Sequence, residues 1–331
     1  LNHNLNPTFQ YHFDTFKLNK FLLKKCIDRK IICKDYFIKD IKLNKKGYIE
    51  SLITSNDKKI KGDFFIDCTG FKRIFSSKLN NKWVSYTKYL PLNRAITLST
   101  PLNLNKGIEP YTTSTALSSG WAWKIPTQTR YGNGYVFSDN YISPDQALKE
   151  FNQHLNTDIE SSSKDIKFEA GKVNKFWDKN YVSIGLAGSF VEPLEAQSIS
   201  FSIIQSELLI FSLNSYTTSP TTISKKYNEI LNQSFENMVS FVQAHYLTKR
   251  KDSKFWKEKP YELTPFNKEI LPIYKKGLFP GKIIGDEQKN FLLFKQLNWY
   301  QLLAGLDLLN LDSIKSTLHN LPSQYFQETW D

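Results

Sequence analysis

The sequence predicts an α/β fold with room for a flat ligand, and three stretches predict it. Tyr181-Val-Ser-Ile184 is a short, partly β-branched strand that runs through Gly185, Gly188 and Pro193 into the helical spacing of Ile199, Ile203, Leu208 and Phe211. Phe64-Phe-Ile66 is apolar enough for a buried parallel strand and ends in Asp67-Cys-Thr-Gly70, a glycine where open α/β sheets bind their ligands. From Trp83 to Val136 strand-like runs follow one another. Among them Gly120-Trp-Ala-Trp-Lys-Ile-Pro126 alternates so that Trp121, Trp123 and Ile125 share a face.

Taken in order, Leu18, Phe21, Leu22 and Cys26 predict a helix through about Arg29, with His12 as a cap or packing residue. The runs Tyr36 to Leu43 and Tyr48 to Thr54, punctuated by Asn44-Lys-Lys-Gly47 and Ser55-Asn-Asp57, predict an antiparallel meander. Asp145 to Leu155 predicts a short helix and Lys167 to Trp177 a linking strand. At the glycine-rich bend the missing Cβ atoms let the backbone turn sharply and a ligand come close. The free N–H groups around Ala196, Gln197 and Ser198 would favour anions. Glu192 and Glu195, three apart, either complement the helix dipole or put a carboxylate beside a bound ligand, and the spacing alone leaves both readings open. After a turn or linker at Thr217-Thr-Ser-Pro-Thr-Thr222 the chain reads as mostly helical, with Tyr227, Phe235, Phe241, Tyr246, Phe255 and Trp256. The expected division is residues 1–213 as an incomplete ligand-binding α/β part and 214–331 as a helical cap.

The net charge of +12 is carried nearly all by lysine spread along the chain, with arginine only at 29, 73, 94, 130 and 250. Phosphate and base recognition leans on arginine forks, so a solvated lysine surface is expected and no nucleic-acid partner. Cys26, Cys33 and Cys68 have neither disulfide nor metal-ligand spacing with the five histidines, which fits a reducing, cytoplasmic setting and no metal. The most apolar run, Ile199 to Leu213, is broken by Gln205 and Glu207, so no membrane span is expected. The chain starts at Leu1 and its one methionine is Met238, so the sequence reads as an N-terminally truncated fragment.

Asp67-Cys-Thr-Gly70, Gly120-Trp-Ala-Trp-Lys-Ile-Pro126, Gly185 to Ser198, His245-Tyr246 with Arg250, Phe255-Trp256, and Trp299-Tyr300 with Gly305 occur in an order that resembles the flavin-dependent tryptophan halogenase family, from Tyr11 onward. Trp-x-Trp-x-Ile-Pro is the most specific of these motifs. The resemblance implies a p-hydroxybenzoate-hydroxylase-like FAD fold whose first βαβ unit is missing here. It implies that reduced flavin, supplied by a separate reductase, and oxygen convert chloride or bromide to a hypohalous acid that halogenates an indole-like aromatic. By the same resemblance Glu195 is the catalytic glutamate near substrate. Gly70, Gly185, Gly188, Pro193 and Ala196 lie along FAD, Gln197 and Ser198 at the halide, and Trp121, Trp123, Ile125 and Pro126 between flavin and substrate. The family's catalytic lysine falls upstream of residue 1. A homodimer is compatible with this reading.

Three departures bear on activity. Gln197 stands where threonine or serine is usual, Asn93 replaces an acid before Arg94, and Gly132-Asn-Gly134 lacks the third glycine of a dinucleotide fingerprint. The alternatives are a hydroxylating flavin monooxygenase without a halide site and an inactive binding scaffold. Trp256 and Trp299 are aromatic candidates for substrate contact or for core packing.

Overall fold

Asp14 opens the first helix, α1 (Thr15–Asp28), by accepting from Phe16 N at 2.9 Å and Lys17 N at 3.2 Å. His12 is therefore not the cap; its Nε2 lies 3.1 Å from Thr112 Oγ1. The computed structural model describes residues 11–102, 107–158, 163–214, 219–278, 291–310, 312 and 315. The meander follows as β1 (Ile38–Leu43), β2 (Ile49–Thr54) and β3 (Lys59–Lys61), antiparallel in that order.

The apolar run becomes β4 (Phe65–Asp67), followed by a 3-10 turn at Gly70–Lys72 and α2 (Ile74–Lys78). After β5 (Trp83–Ser85), the strands β6 (Arg94–Pro101), β7 (Thr113–Leu117), β8 (Gly120–Pro126) and β9 (Arg130–Phe137) assemble with β10 (Lys164–Lys167) into one antiparallel sheet, ordered β10-β6-β9-β8-β7. Its two faces have different duties. One packs Ile96, Leu98, Ala122, Tyr135 and Phe137 against Ala147 and Phe151 of α3 (Pro144–Leu155), a helix started by a Ser143/Gln146 capping box. The other turns Trp121, Val136 and Ala95 toward the main core. Gly132 and Gly134 sit within β9, so this glycine pair is strand and not a dinucleotide loop.

The single linking strand expected from Lys167 to Trp177 is instead three short pieces: β10, then β11 (Gly171–Val173), then β12 (Trp177–Asp178). β12 pairs antiparallel with β13 (Tyr181–Ser183), and β13 runs parallel to β4 with Ser183 opposite Asp67. The expected burial of β4 holds for Phe65 and Asp67, whereas Ile66 is 51% exposed on the other face. β14 (Ser189–Phe190) pairs with β11.

Helix α4 (Gln197–Leu213) turns a different stripe inward than its aliphatic spacing suggests. Gln197, Phe201, Gln205, Leu208 and Leu209 are buried, while Ile199, Ile203 and Phe211 are exposed. The helix is apolar on most sides, so periodicity cannot select its inner face. The two glutamines do, because each has a backbone partner: Gln197 Nε2 donates to Glu192 O at 3.1 Å and Gln205 Oε1 accepts from Gly185 N at 2.8 Å. The span Leu194–Leu213 reaches the length and mean hydropathy, 1.2, of a membrane crossing, against the sequence expectation that no stretch would. Gln205 within it is fully buried, and its carbonyl accepts from Tyr227 OH at 3.0 Å.

Ser219 caps α5 (Pro220–Ala244), with Pro220 in its first turn; residues 217 and 218 of the expected linker lie outside the described residues. α6 (Lys254–Glu258), α7 (Pro265–Lys275) and α8 (Gln296–Gly305) follow among the described residues. The main core crosses residue 213, joining Leu90, Trp121, Val182 and Phe201 to Tyr227, Phe235, Val239, Tyr246, Trp256 and Trp299. Trp256 and Trp299 are both buried packing residues; the indole N–H of Trp256 donates to Leu117 O at 2.7 Å.

Candidate functional site

Two parallel strands end side by side in glycines. Ile184 N donates to Asp67 O at 2.9 Å, so β4 and β13 release the chain at the same level, into Gly70 and Gly185 respectively. Gly70 (φ 66°) and Gly185 (φ 63°) are both left-handed, a conformation that L side chains resist. A Cβ on Gly70 would meet nothing within 4 Å among the described residues, so the space beside it is open with respect to them. Gly188 has a different duty: a Cβ there would lie 2.5 Å from Ser183 O, so it is needed for close packing of the bend. Asp67 shapes the first turn, accepting from Thr69 N (2.9 Å), Thr69 Oγ1 (2.6 Å) and Phe75 N (2.9 Å) while fully buried.

A cavity of about 400 Å³ lies against the bend, lined by Trp121, Trp123, Ile125, Pro193, Leu194, Glu195, Ala196 and His245, with Thr112 and Ser114 at β7. The alternation in β8 puts both indoles on this side, rings 5.8 Å apart and inclined at 47°. Gly134 of the neighbouring strand makes room for one of them, since a Cβ there would fall 2.0 Å from the Trp123 ring. Pro126, buried at the end of β8, lies outside the lining.

The carboxylates of Glu192 and Glu195 part company. Glu195 (φ 68°) and Ala196 (φ 49°) are consecutive left-handed residues that are not glycine, each worth roughly 1 to 3 kcal/mol of backbone strain. This kink aims Glu195 at the cavity, where its Oε1 lies 2.9 Å from His245 Nε2. His245 Nδ1 is 3.0 Å from Phe241 O, which can only accept, so Nδ1 carries a hydrogen. One proton is then shared between Nε2 and Glu195 Oε1: either imidazolium faces carboxylate or imidazole faces carboxylic acid.

Glu192 turns inward and is 1% exposed. Its Oε2 accepts from Trp121 Nε1 at 2.9 Å and from Tyr246 OH. Burial pushes this carboxyl up to about 7, with the Tyr246 and Trp121 donors pulling the other way. Burial also raises the Tyr246 phenol, and the adjacent Glu192 adds to it.

Gln197 and Ser198 form the first turn of α4, which has no side-chain cap. Gln197 is buried with its amide nitrogen committed to Glu192 O, and Ser198 O accepts from Ser202 Oγ at 2.7 Å. The sequence patterning therefore brought Glu195, Ala196, Pro193, Trp121, Trp123 and Ile125 to one cavity, with Gly70 and Gly185 together past the parallel strands. It did not bring out the pairing of His245 with Glu195, nor that of Glu192 with Trp121 and Tyr246, because these join residues 50, 71 and 54 positions apart; the aromatic-rich end of α5 was the available signal.

A parallel strand pair ending in left-handed glycines, beside an indole-walled cavity with an acid, defines an α/β protein with a ligand site at its strand ends. The chain belongs to the tryptophan halogenase family, whose profile matches residues 3–319. It is 34% identical over 256 residues to the 7-chloro-L-tryptophan 6-halogenase of Kutzneria sp. (strain 744), covering 76% of this chain and 49% of that protein. Identity to the tryptophan 6-halogenase of Streptomyces albogriseolus is 29% over 316 residues, 91% of this chain and 59% of that one. Among solved structures, a flavin-dependent halogenase from Brevundimonas sp. BAL3 superposes with a TM-score of 0.83 at 27% identity, covering 90% of this chain and 60% of that chain. The tryptophan 6-halogenase of Streptomyces toxytricini gives 0.83 at 28%, covering 95% and 66%. The chain thus spans about half to three fifths of the length of these curated relatives.

Proposed function

We propose that this chain carries the substrate-side chemistry of an FAD-dependent halogenase acting on an electron-rich, indole-like aromatic. The observation that carries the reading is Glu195, held by a strained left-handed pair against His245 in a cavity walled by Trp121 and Trp123. The fit to a flavin rests on the open space at Gly70, and on Ser183 Oγ and Gln205 Nε2, buried at the bend with no hydrogen-bond partner among the described residues. Gly70, Gly185, Pro193 and Ala196 would hold the ring system, and Gly188 keeps the bend tight behind it. A bound reduced flavin with oxygen supplies the oxidised halogen. The backbone N–H groups of Gln197 and Ser198 offer the halide an uncapped helix start.

The chain's own residues then handle position and protons. Trp121, Trp123 and Ile125 in the cavity wall, with Pro126 at the end of the same strand, separate the aromatic substrate from the flavin side. Substitution on an indole carbon releases that carbon's proton, and the Glu195–His245 pair can take it on the second carboxylate oxygen while its internal proton stays shared. A separate flavin reductase, a cytoplasmic setting consistent with the free Cys26, Cys33 and Cys68, a homodimer, and a division near residue 213 with the helical part as a cap contributing His245 complete the proposal.

The full-length protein with a reductase, oxygen and bromide should give brominated products from a panel of indoles and phenols, and Glu195→Gln should lower turnover about a hundredfold or more. No halogenated product across the panel would overturn the reading. One observation favours a second reading, a hydroxylating monooxygenase: the Gln197 amide is spent on Glu192 O and not held open at the helix start. Oxygen insertion that is indifferent to halide would select it.

A further inference from the structure

We propose that Glu192 is a positioning residue, a single buried carboxyl that ties the Trp121 wall to the end of α5 and so sets the separation of Glu195 and His245; its place in catalysis rests on the function proposed above. Three segments distant in sequence meet on it. Trp121 comes from β8, Tyr246 from the 3-10 turn after α5, and Glu192 itself from the loop between β14 and the kink. Both donors converge on Oε2, and Oε1 has no partner among the described residues.

The arrangement is a ladder with two rungs. Glu192 to Tyr246 is one, Glu195 to His245 is the other, and each rung joins the same kinked loop to the same helix end. Both uprights are stiff. Gln197 Nε2 closes the loop on Glu192 O, while Tyr261 OH holds Tyr246 O at 2.7 Å and the Tyr246 ring stacks on Trp256 at 23°. Cutting the first rung lets the second lengthen and lets the Trp121 indole rotate out of its seat. A carboxyl with neighbours as apolar as Val191 and Leu194 is costly to bury, and an apolar residue of similar size would pack there; the carboxyl is what two donors from separate segments require.

The test uses Glu192→Leu and Tyr246→Phe, which cut the same rung from opposite ends, with Trp121→Phe to assign the indole signal. Nitrogen-15 spectra of the whole chain read the Trp121 indole and the His245 imidazole, and titration with indole reads the cavity. Both variants should move the His245 resonances, although neither replaced group is hydrogen-bonded to that ring, and should weaken indole binding about tenfold, the equivalent of one hydrogen bond. Glu192→Asp, one methylene short of both donors, should fail to restore it. If Glu192→Leu does not fold, Tyr246→Phe decides alone, since it leaves the carboxyl in place. His245 resonances unmoved in a folded variant whose Trp121 signal has shifted would overturn the proposal. A wild-type chain that binds no indole would instead count against the substrate reading, and the resonances would still decide the role of Glu192.

Discussion

Gly134→Ala tests the cavity wall directly. The added methyl would lie 2.0 Å from Cζ2, 2.1 Å from Cη2 and 2.5 Å from Cε2 of Trp123, where carbon contacts settle at about 3.5 to 4.0 Å. The indole must therefore retreat by about 1.5 Å, and the direction open to it is the cavity. Overpacking of this kind costs roughly 1 to 3 kcal/mol, and about 2 kcal/mol is expected because the obstacle is a side chain beside empty space. Two sister glycines calibrate the result. Gly132→Ala meets nothing nearer than Ile125 O at 4.0 Å and should stay within about 0.5 kcal/mol of wild type. Gly120→Ala puts its methyl 1.9 Å from Val136 O and 2.9 Å from Phe137 Cα, backbone atoms that cannot swing aside, and should be the most damaging of the three. Urea denaturation gives the order, and near-ultraviolet circular dichroism reads the Trp121/Trp123 pair. Were Gly134→Ala as harmless as Gly132→Ala, with an unchanged aromatic spectrum, Trp123 would not lie against β9 and the wall would be wrongly drawn.

Burial raises the Glu192 carboxyl from an ordinary 4.5 to about 7, so between those values the folded chain binds more protons than the unfolded one and stability falls as pH rises through the window. Ionising it in place costs about 3 kcal/mol at 1.36 kcal/mol per tenfold change, and Glu192→Gln should remove most of the decline in urea midpoint between pH 5 and pH 8. Asp67→Asn exchanges a three-fold acceptor for a group that presents N–H to some of the same donors, and a loss of roughly 2 to 3 kcal/mol is expected in thermal unfolding; an unmoved midpoint would show that other contacts hold the turn. Gly70→Ala, unclashed but left-handed, should cost roughly 1 to 2 kcal/mol and, in the full-length protein, weaken flavin binding measured by fluorescence titration.

Local signals in the sequence carried much of this architecture. Alternation placed Trp121, Trp123 and Ile125 on one face, and an apolar run ending in glycine located β4 and the turn at Gly70. Both are properties of a few adjacent residues. Ile199, Ile203 and Phe211 look like a core stripe of α4, whereas the hydrogen bonds that Gln197 donates to Glu192 O and Gln205 accepts from Gly185 N decide the rotation of the helix. The duties of Glu192 and Glu195 were equally hidden. Their spacing suggests neighbours at a helix start, but the left-handed pair at 195 and 196 sends one carboxyl inward and the other to the cavity. A kink of that sort leaves no mark in hydrophobic periodicity.

That kink also divides what heat and turnover would each select. Glycine at 195 or 196 would relieve the backbone, so a library sorted only for surviving high temperature should drift toward glycine at both positions. A library sorted for product should keep the acid at 195 while leaving 196 free to relax. Sequencing the two outcomes would separate, at adjacent codons, the residue retained for chemistry from the one that merely tolerates its neighbour's geometry.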